Sequence, residues 1–143
     1  MGLTHYWERP AQLAPAAFNR AVDDCRRLLP HLPIPLAGGD GTGTPVCDSE
    51  LLIFNGVGDA SYETCAICRA EEDPGAGRRI LSFCKTEHRP YDLAVRAVLI
   101  VFQHHLGSQF KVSSDDHASA WEAAQNICQQ HLGYGADFRL EGG

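Results

Sequence analysis

The stretch Pro90–Leu106 constrains this chain more than any other. Leu93, Ala94, Val95, Ala97, Val98, Leu99, Ile100, Val101 and Phe102 place apolar groups on nearly every side of a helix, and Gly107 closes it. A helix that is apolar all round leaves no face for water, so other elements must wrap it. The run Leu93–Phe102 is too short to cross a bilayer and is interrupted by Arg96. Its burial is therefore expected inside protein rather than lipid, with no membrane as partner.

The remaining pattern supplies the wrapping. Pro15 suits a first helical turn, and Phe18, Ala21, Val22, Cys25, Leu28 and Leu29 follow at helical spacing until Pro30. Asp23, Asp24, Arg26 and Arg27 fall on its wet face. A third helix carries Ala120, Trp121, Ala124, Ile127 and Cys128 on its inner face, with Asp115 or Asp116 as its cap and Gly133 at its end. Strands are expected at Leu3–Glu8, Leu51–Phe54, Tyr62–Arg69, Arg79–Lys85 and Phe110–Ser113. Asn55-Gly56 turns the second of these back antiparallel to the third. The order predicts an α+β fold: a small, mostly antiparallel sheet with about three helices packed on it. Residues 1–143 read as a single domain, and the tail Tyr134–Gly143 is expected to be loose.

Charge and cysteine content narrow the partners. The formal net charge is -6, so most of the surface repels a phosphate backbone and general nucleic-acid binding is not expected. A local basic pocket has candidates in Arg78, Arg79, Lys85, His88 and Arg89. Met1–Pro10 lacks the apolar core of a secretory signal, which predicts a cytoplasmic protein. In that compartment Cys25, Cys47, Cys65, Cys68, Cys84 and Cys128 are expected as free thiols.

Chemistry-bearing residues gather in two loops. Gly38-Gly39-Asp40-Gly41-Thr42 matches the GGDGT signature of lipid kinases and NAD kinases, whose glycines admit nucleotide phosphates. In that signature a helix follows at once, whereas Gly43, Thr44 and Pro45 forbid one here. The second loop, Lys85–Asp92, joins a strand to the start of the central helix. A helix start offers unpaired N–H groups and partial positive charge, and Lys85, Thr86, His88 and Arg89 surround it. The same corner offers His88 as a general base oriented by Asp92 or Glu87, or Cys84 as a nucleophile. Cys65, Cys68, Cys84 and His88 also have the spacing of a structural zinc site. Against zinc, residues three apart in a strand point to opposite faces. The expectation is therefore no cofactor, with zinc on those four residues as the alternative.

Phe54-Asn55-Gly56, Tyr62-Glu63-Thr64, Phe83-Cys84-Lys85-Thr86 and Pro90-Tyr91-Asp92, with Trp7–Pro10 and Leu36-Ala37-Gly38, resemble the pattern of a small family of uncharacterised bacterial and phage proteins. The resemblance covers most of the chain. It implies a setting of phage–host conflict, where proteins of this size bind a host protein or sequester a nucleotide signal. The resulting expectation is a non-enzymatic protein, oligomeric and most simply a homodimer, that binds a small anionic molecule such as a nucleotide. Lys85, Thr86, His88 and Arg89 would hold phosphate, and Asp40, Thr42 and Asn55 would line the other side. Two alternatives stand beside it: a small phosphoesterase-like enzyme using His88 and Asp92, and a module that binds a host protein through Trp7 and the tail.

Overall fold

The computed structural model describes residues 2–142. The α+β expectation holds: three helices pack with two small antiparallel sheets. The strands are β1 (Thr4–Arg9), β2 (Val46–Cys47), β3 (Leu51–Phe54), β4 (Cys65–Cys68), β5 (Ile80–Lys85) and β6 (Lys111–Ser114). The helices are α1 (Pro15–Leu28), α2 (Asp92–Leu106) and α3 (Glu122–Leu132). One sheet has the order β5-β1-β6 and the other β2-β3-β4. The sequence pattern implied one sheet. Two form because β1 takes β5 and β6 as neighbours, leaving β3 and β4 to pair across their own turn.

Helix α2 lies at the centre as its composition demands. Residues Ala94 through Phe102 are all buried, and α1 and α3 pack on it. A column of aromatic rings ties these layers together. Phe102 meets Phe18 of α1 and Phe110 just before β6, each at 5.6 Å between centroids, and Phe110 stacks on Trp7 of β1. Trp7 is thus core.

Three local expectations are corrected. Asp24 is buried on α1 rather than wet, because it accepts hydrogen bonds from Tyr134 Oη (2.5 Å) and His105 Nε2 (2.7 Å) and pairs with Arg27. Neither Asp115 nor Asp116 caps α3. A short 3₁₀ turn, Ala118–Trp121, precedes that helix, and the two carboxylates bond to β1 and α2 instead. The tail is packed through Phe138 rather than loose: Tyr134 stacks on His104 at 3.7 Å, and Phe138 stacks on Trp121 at 4.8 Å. Its aromatic spacing is too irregular to read as an element, yet Tyr134 covers His104 and Phe138 covers Trp121.

Candidate functional site

Alternation along β1 sends His5, Trp7 and Arg9 inward, so three polar or aromatic side chains are buried behind the sheet. His5 meets Asp92, the first residue of α2: Nε2 lies 2.6 Å from Asp92 Oδ1. Thr86 Oγ1 donates to the same oxygen (2.6 Å), and Arg96 Nε, one helical turn on, donates to Oδ2 (2.6 Å). Arg96 reaches further, donating to Asp116 Oδ2 (2.9 Å) and Ala120 O (3.1 Å). The other imidazole nitrogen, Nδ1, lies 2.8 Å from Ser114 Oγ of β6. Burial alone would push the Asp92 carboxyl up. The hydrogen bonds and field of His5, with the bonds from Thr86 and Arg96, outweigh it and hold the group at about 2.

An ionised Asp92 only accepts, so His5 Nε2 carries the hydrogen of that bond, while Nδ1 is hydrogen-bonded to Ser114 Oγ. This is a hydroxyl–imidazole–carboxylate chain, the group order that activates serine nucleophiles. Here it is sealed. His5 is wholly buried with its ring edge against Trp121, and Ser114 Oγ also accepts the Asp116 N–H (3.0 Å). The imidazole is buried while Ser114 is half-buried, and the chain acts as a clasp binding β1, β6 and α2. Sequence reasoning assigned Asp92 to His88. The histidine it orients is His5, whose place in an inward-facing alternation was the available signal.

His88 lies elsewhere, exposed on the tight turn after β5. Glu87 and His88 both hold left-handed backbone, φ 52° and 61°. Thr86 is buried in the clasp, while Lys85 pairs with Glu87 (3.6 Å) and Arg89 lies over the Tyr62 ring at 5.8 Å. Of the expected phosphate holders, Lys85, His88 and Arg89 thus reach solvent and Thr86 does not.

The glycine loop is organised from within. Asp40 Oδ1 accepts from Thr42 N (3.1 Å) and Thr42 Oγ1 (2.7 Å), which holds its carboxyl below the usual range. Asn55 is buried with a full complement of partners: Nδ2 donates to Gly39 O (3.1 Å) and Tyr62 O (3.0 Å), and Oδ1 accepts from Gly56 N (2.7 Å) and Tyr62 N (3.0 Å). Its amide is a brace for the loop and has nothing left for a ligand. The segment Tyr62–Thr64 joins the two loops: Thr64 Oγ1 donates to Gly39 O, and the Glu63 main chain accepts from Tyr91 Oη (2.6 Å).

The cysteines follow the strand pairing. Cys65 and Cys84 bring their thiols together on the inner side, and their mutual contact, with burial, pushes Cys65 up. Cys68, three residues along β4, is half-buried on the other face, and His88 is on the exposed turn. No group of three or more His, Cys, Asp or Glu among the described residues is placed to hold a metal.

A different surface stands open. The face of the β5-β1-β6 sheet away from the helices carries Leu81 and Phe83 of β5 beside Glu8 and Tyr6 of β1. Leu81 is 63% exposed and Phe83 58%, the largest exposures of large apolar side chains among the described residues. Strand β5 is also an edge strand. A second cleft, of about 430 Å³, is lined by Arg20, Asp23, Asp24, Arg27 and His105, but Asp24 is already committed to three donors there. Comparison with protein-family models, with curated proteins and with solved structures finds no match for this chain.

Proposed function

We propose that the chain is a binding protein that docks a protein partner on the open face of the β5-β1-β6 sheet, in a cytoplasmic setting. One observation carries the reading: Leu81 and Phe83 stand side by side in solvent on an edge strand. Two adjacent, well-exposed large apolar side chains on a strand invite aggregation unless a partner covers them. This surface is preferred to one built from Trp7 and the tail, because Trp7 is buried and Phe138 of the tail stacks on Trp121. A phosphoesterase is less well supported, since Asp92 is bound to His5 inside the clasp. The small-anion reading keeps Lys85, His88 and Arg89 but loses Thr86 and Asn55 to internal bonds.

The test is site-specific photo-crosslinking in the cells that make the protein. A photoreactive residue at position 83 should give one discrete protein adduct, and the same residue at the exposed Glu122 should not. Equal adducts from both positions, or none from 83, would sink the reading. A nucleotide retained in native mass spectrometry, and lost in Lys85→Ala/Arg89→Ala, would move the function to the small anion.

A further inference from the structure

The open strand offers more than side chains. Lys85 turns its main chain away from β1: its N–H donates to Glu63 Oε1 (2.7 Å), and its carbonyl accepts the Glu63 N–H (3.3 Å). On the other side, Thr86 N donates to Leu3 O (2.9 Å). Alternation in an antiparallel ladder then fixes the direction of every group along β5. Leu81 and Phe83, in phase with Lys85, aim their N–H and C=O groups away from β1, and among the described residues none of the four has a partner. Glu63 already sits on the third station, partly through its carboxylate, as an incoming strand would.

Charge selects what can add there. Arg78 precedes β5, and Arg89 lies beside Tyr62 near its far end; neither has an ion-pair partner among the described residues. Arg79 and Lys85, the other two cations, are matched by Glu8 (2.8 Å) and Glu87 (3.6 Å). A second copy of β5 would bring another unmatched Arg78 and no carboxylate on its own strand to meet the first, and like charges across strands destabilise pairing. The Lys85 station, moreover, is filled by Glu63.

We propose that β5 binds an extended segment of the partner by strand addition, with apolar side chains on Leu81 and Phe83 and carboxylates at both ends facing Arg78 and Arg89. The mode combines main-chain hydrogen bonds for affinity with alternate side chains for selection. This inference rests on the protein-binding reading above and adds the partner's chemistry and the main-chain contact.

The probe is a synthetic capped peptide, Glu-Glu-Val-Thr-Val-Thr-Val-Glu-Glu, titrated into the ¹⁵N-labelled protein. One-to-one saturation is expected, with the amide signals of Leu81 and Phe83 shifted downfield and protected from exchange. Methylating alternate peptide nitrogens removes donors without touching the protein, and should weaken binding by about tenfold or more. Exchanging the glutamates for lysines should weaken it by a similar factor of about ten. Phe83→Pro removes one outward N–H at an edge position where proline is tolerated, and Phe83→Thr keeps it while trimming the ring. Proline should abolish the Leu81 and Phe83 shifts, and threonine should reduce affinity but retain them. Equal binding of the methylated peptide, or no response at Leu81 and Phe83, overturns strand addition. So does a stable dimer of the protein alone that Phe83→Pro dissolves. Strand addition would fall alone if crosslinking from position 83 still captured one partner. If that capture also failed, both readings would fall.

Discussion

Asp92 shows how one residue's role depends on what the fold brings to it. Its two oxygens take three side-chain donors from β1, the turn after β5 and the next turn of α2. Asp92→Asn removes the charge that Arg96 and His5 were placed to meet, and breaking such a part-buried pair is expected to cost about 3 kcal/mol. Urea unfolding would check this, with the midpoint falling and the slope unchanged. His88 predicts the opposite sign. Its left-handed backbone (φ 61°) costs an L-residue about 1 kcal/mol relative to glycine, so His88→Gly should stabilise by roughly that amount. No gain in the melting temperature would mean that the turn is held by contacts the imidazole itself makes.

At the scale of elements, the turn after β3 and the centre of α2 are the sensitive points. A Cβ at Gly56 would run into the Ala60 carbonyl, which is backbone and cannot swing aside. Gly56→Ala is expected to cost about 1–3 kcal/mol through that overlap. Exchange of the Asn55 and Tyr62 amides should quicken before the rest unfolds, because Asn55 braces the same turn. Phe102→Ala would remove the ring that joins α1 to the approach of β6, for a loss of about 3–5 kcal/mol. Calorimetry showing less than about 1 kcal/mol would mean that the aromatic column closes over the gap.

For the molecule as a whole, the carboxylates set the acid limit. Asp24, Asp92 and Asp116 all ionise more readily in the fold than a free carboxyl does. For Asp24, burial opposes this and the bonds from Tyr134, His105 and Arg27 prevail; for Asp116 the bond from Arg96 leads. A depressed carboxyl contributes stability that is complete above its unfolded value and is lost as pH falls through the folded one. For Asp92 the interval runs from 3.8 down to about 2, and the contribution is about 2 kcal/mol. The urea midpoint should therefore drop steeply between those two values, and Asp92→Asn should flatten the drop. The thiols report on the same packing. Cys25, Cys65, Cys84 and Cys128 are buried, and burial pushes Cys128 up to about 12. A thiol reagent should titrate only Cys47 and Cys68 slowly in the native protein, and all six once it is unfolded.

Local pattern carried much of this. The all-round apolar run Leu93–Phe102 made α2 central before any contact was known, and the helical spacing from Phe18 to Leu28 made α1 amphipathic. Strand positions were legible within a residue or two in most cases, since alternation and turn residues act over short range. The candidate site was legible only in part. The corner Lys85–Asp92 stood out by its polar residues, but its partner His5 lies 87 positions away. The pairing of β1 with β5 and β6 creates that contact, and no spacing in the sequence encodes it. Asn55 and Thr86 carried groups able to meet a ligand, and only the tertiary packing turned those groups inward. Leu81 and Phe83 read as one half of an ordinary strand. Their exposure arose because β5 became an edge and the helices took the opposite face. The amino-acid sequence by itself determined the elements and the buried helix, because propensity and period are local. Which polar groups became structure and which apolar ones met water was decided by the tertiary fold, because burial depends on neighbours distant in the chain.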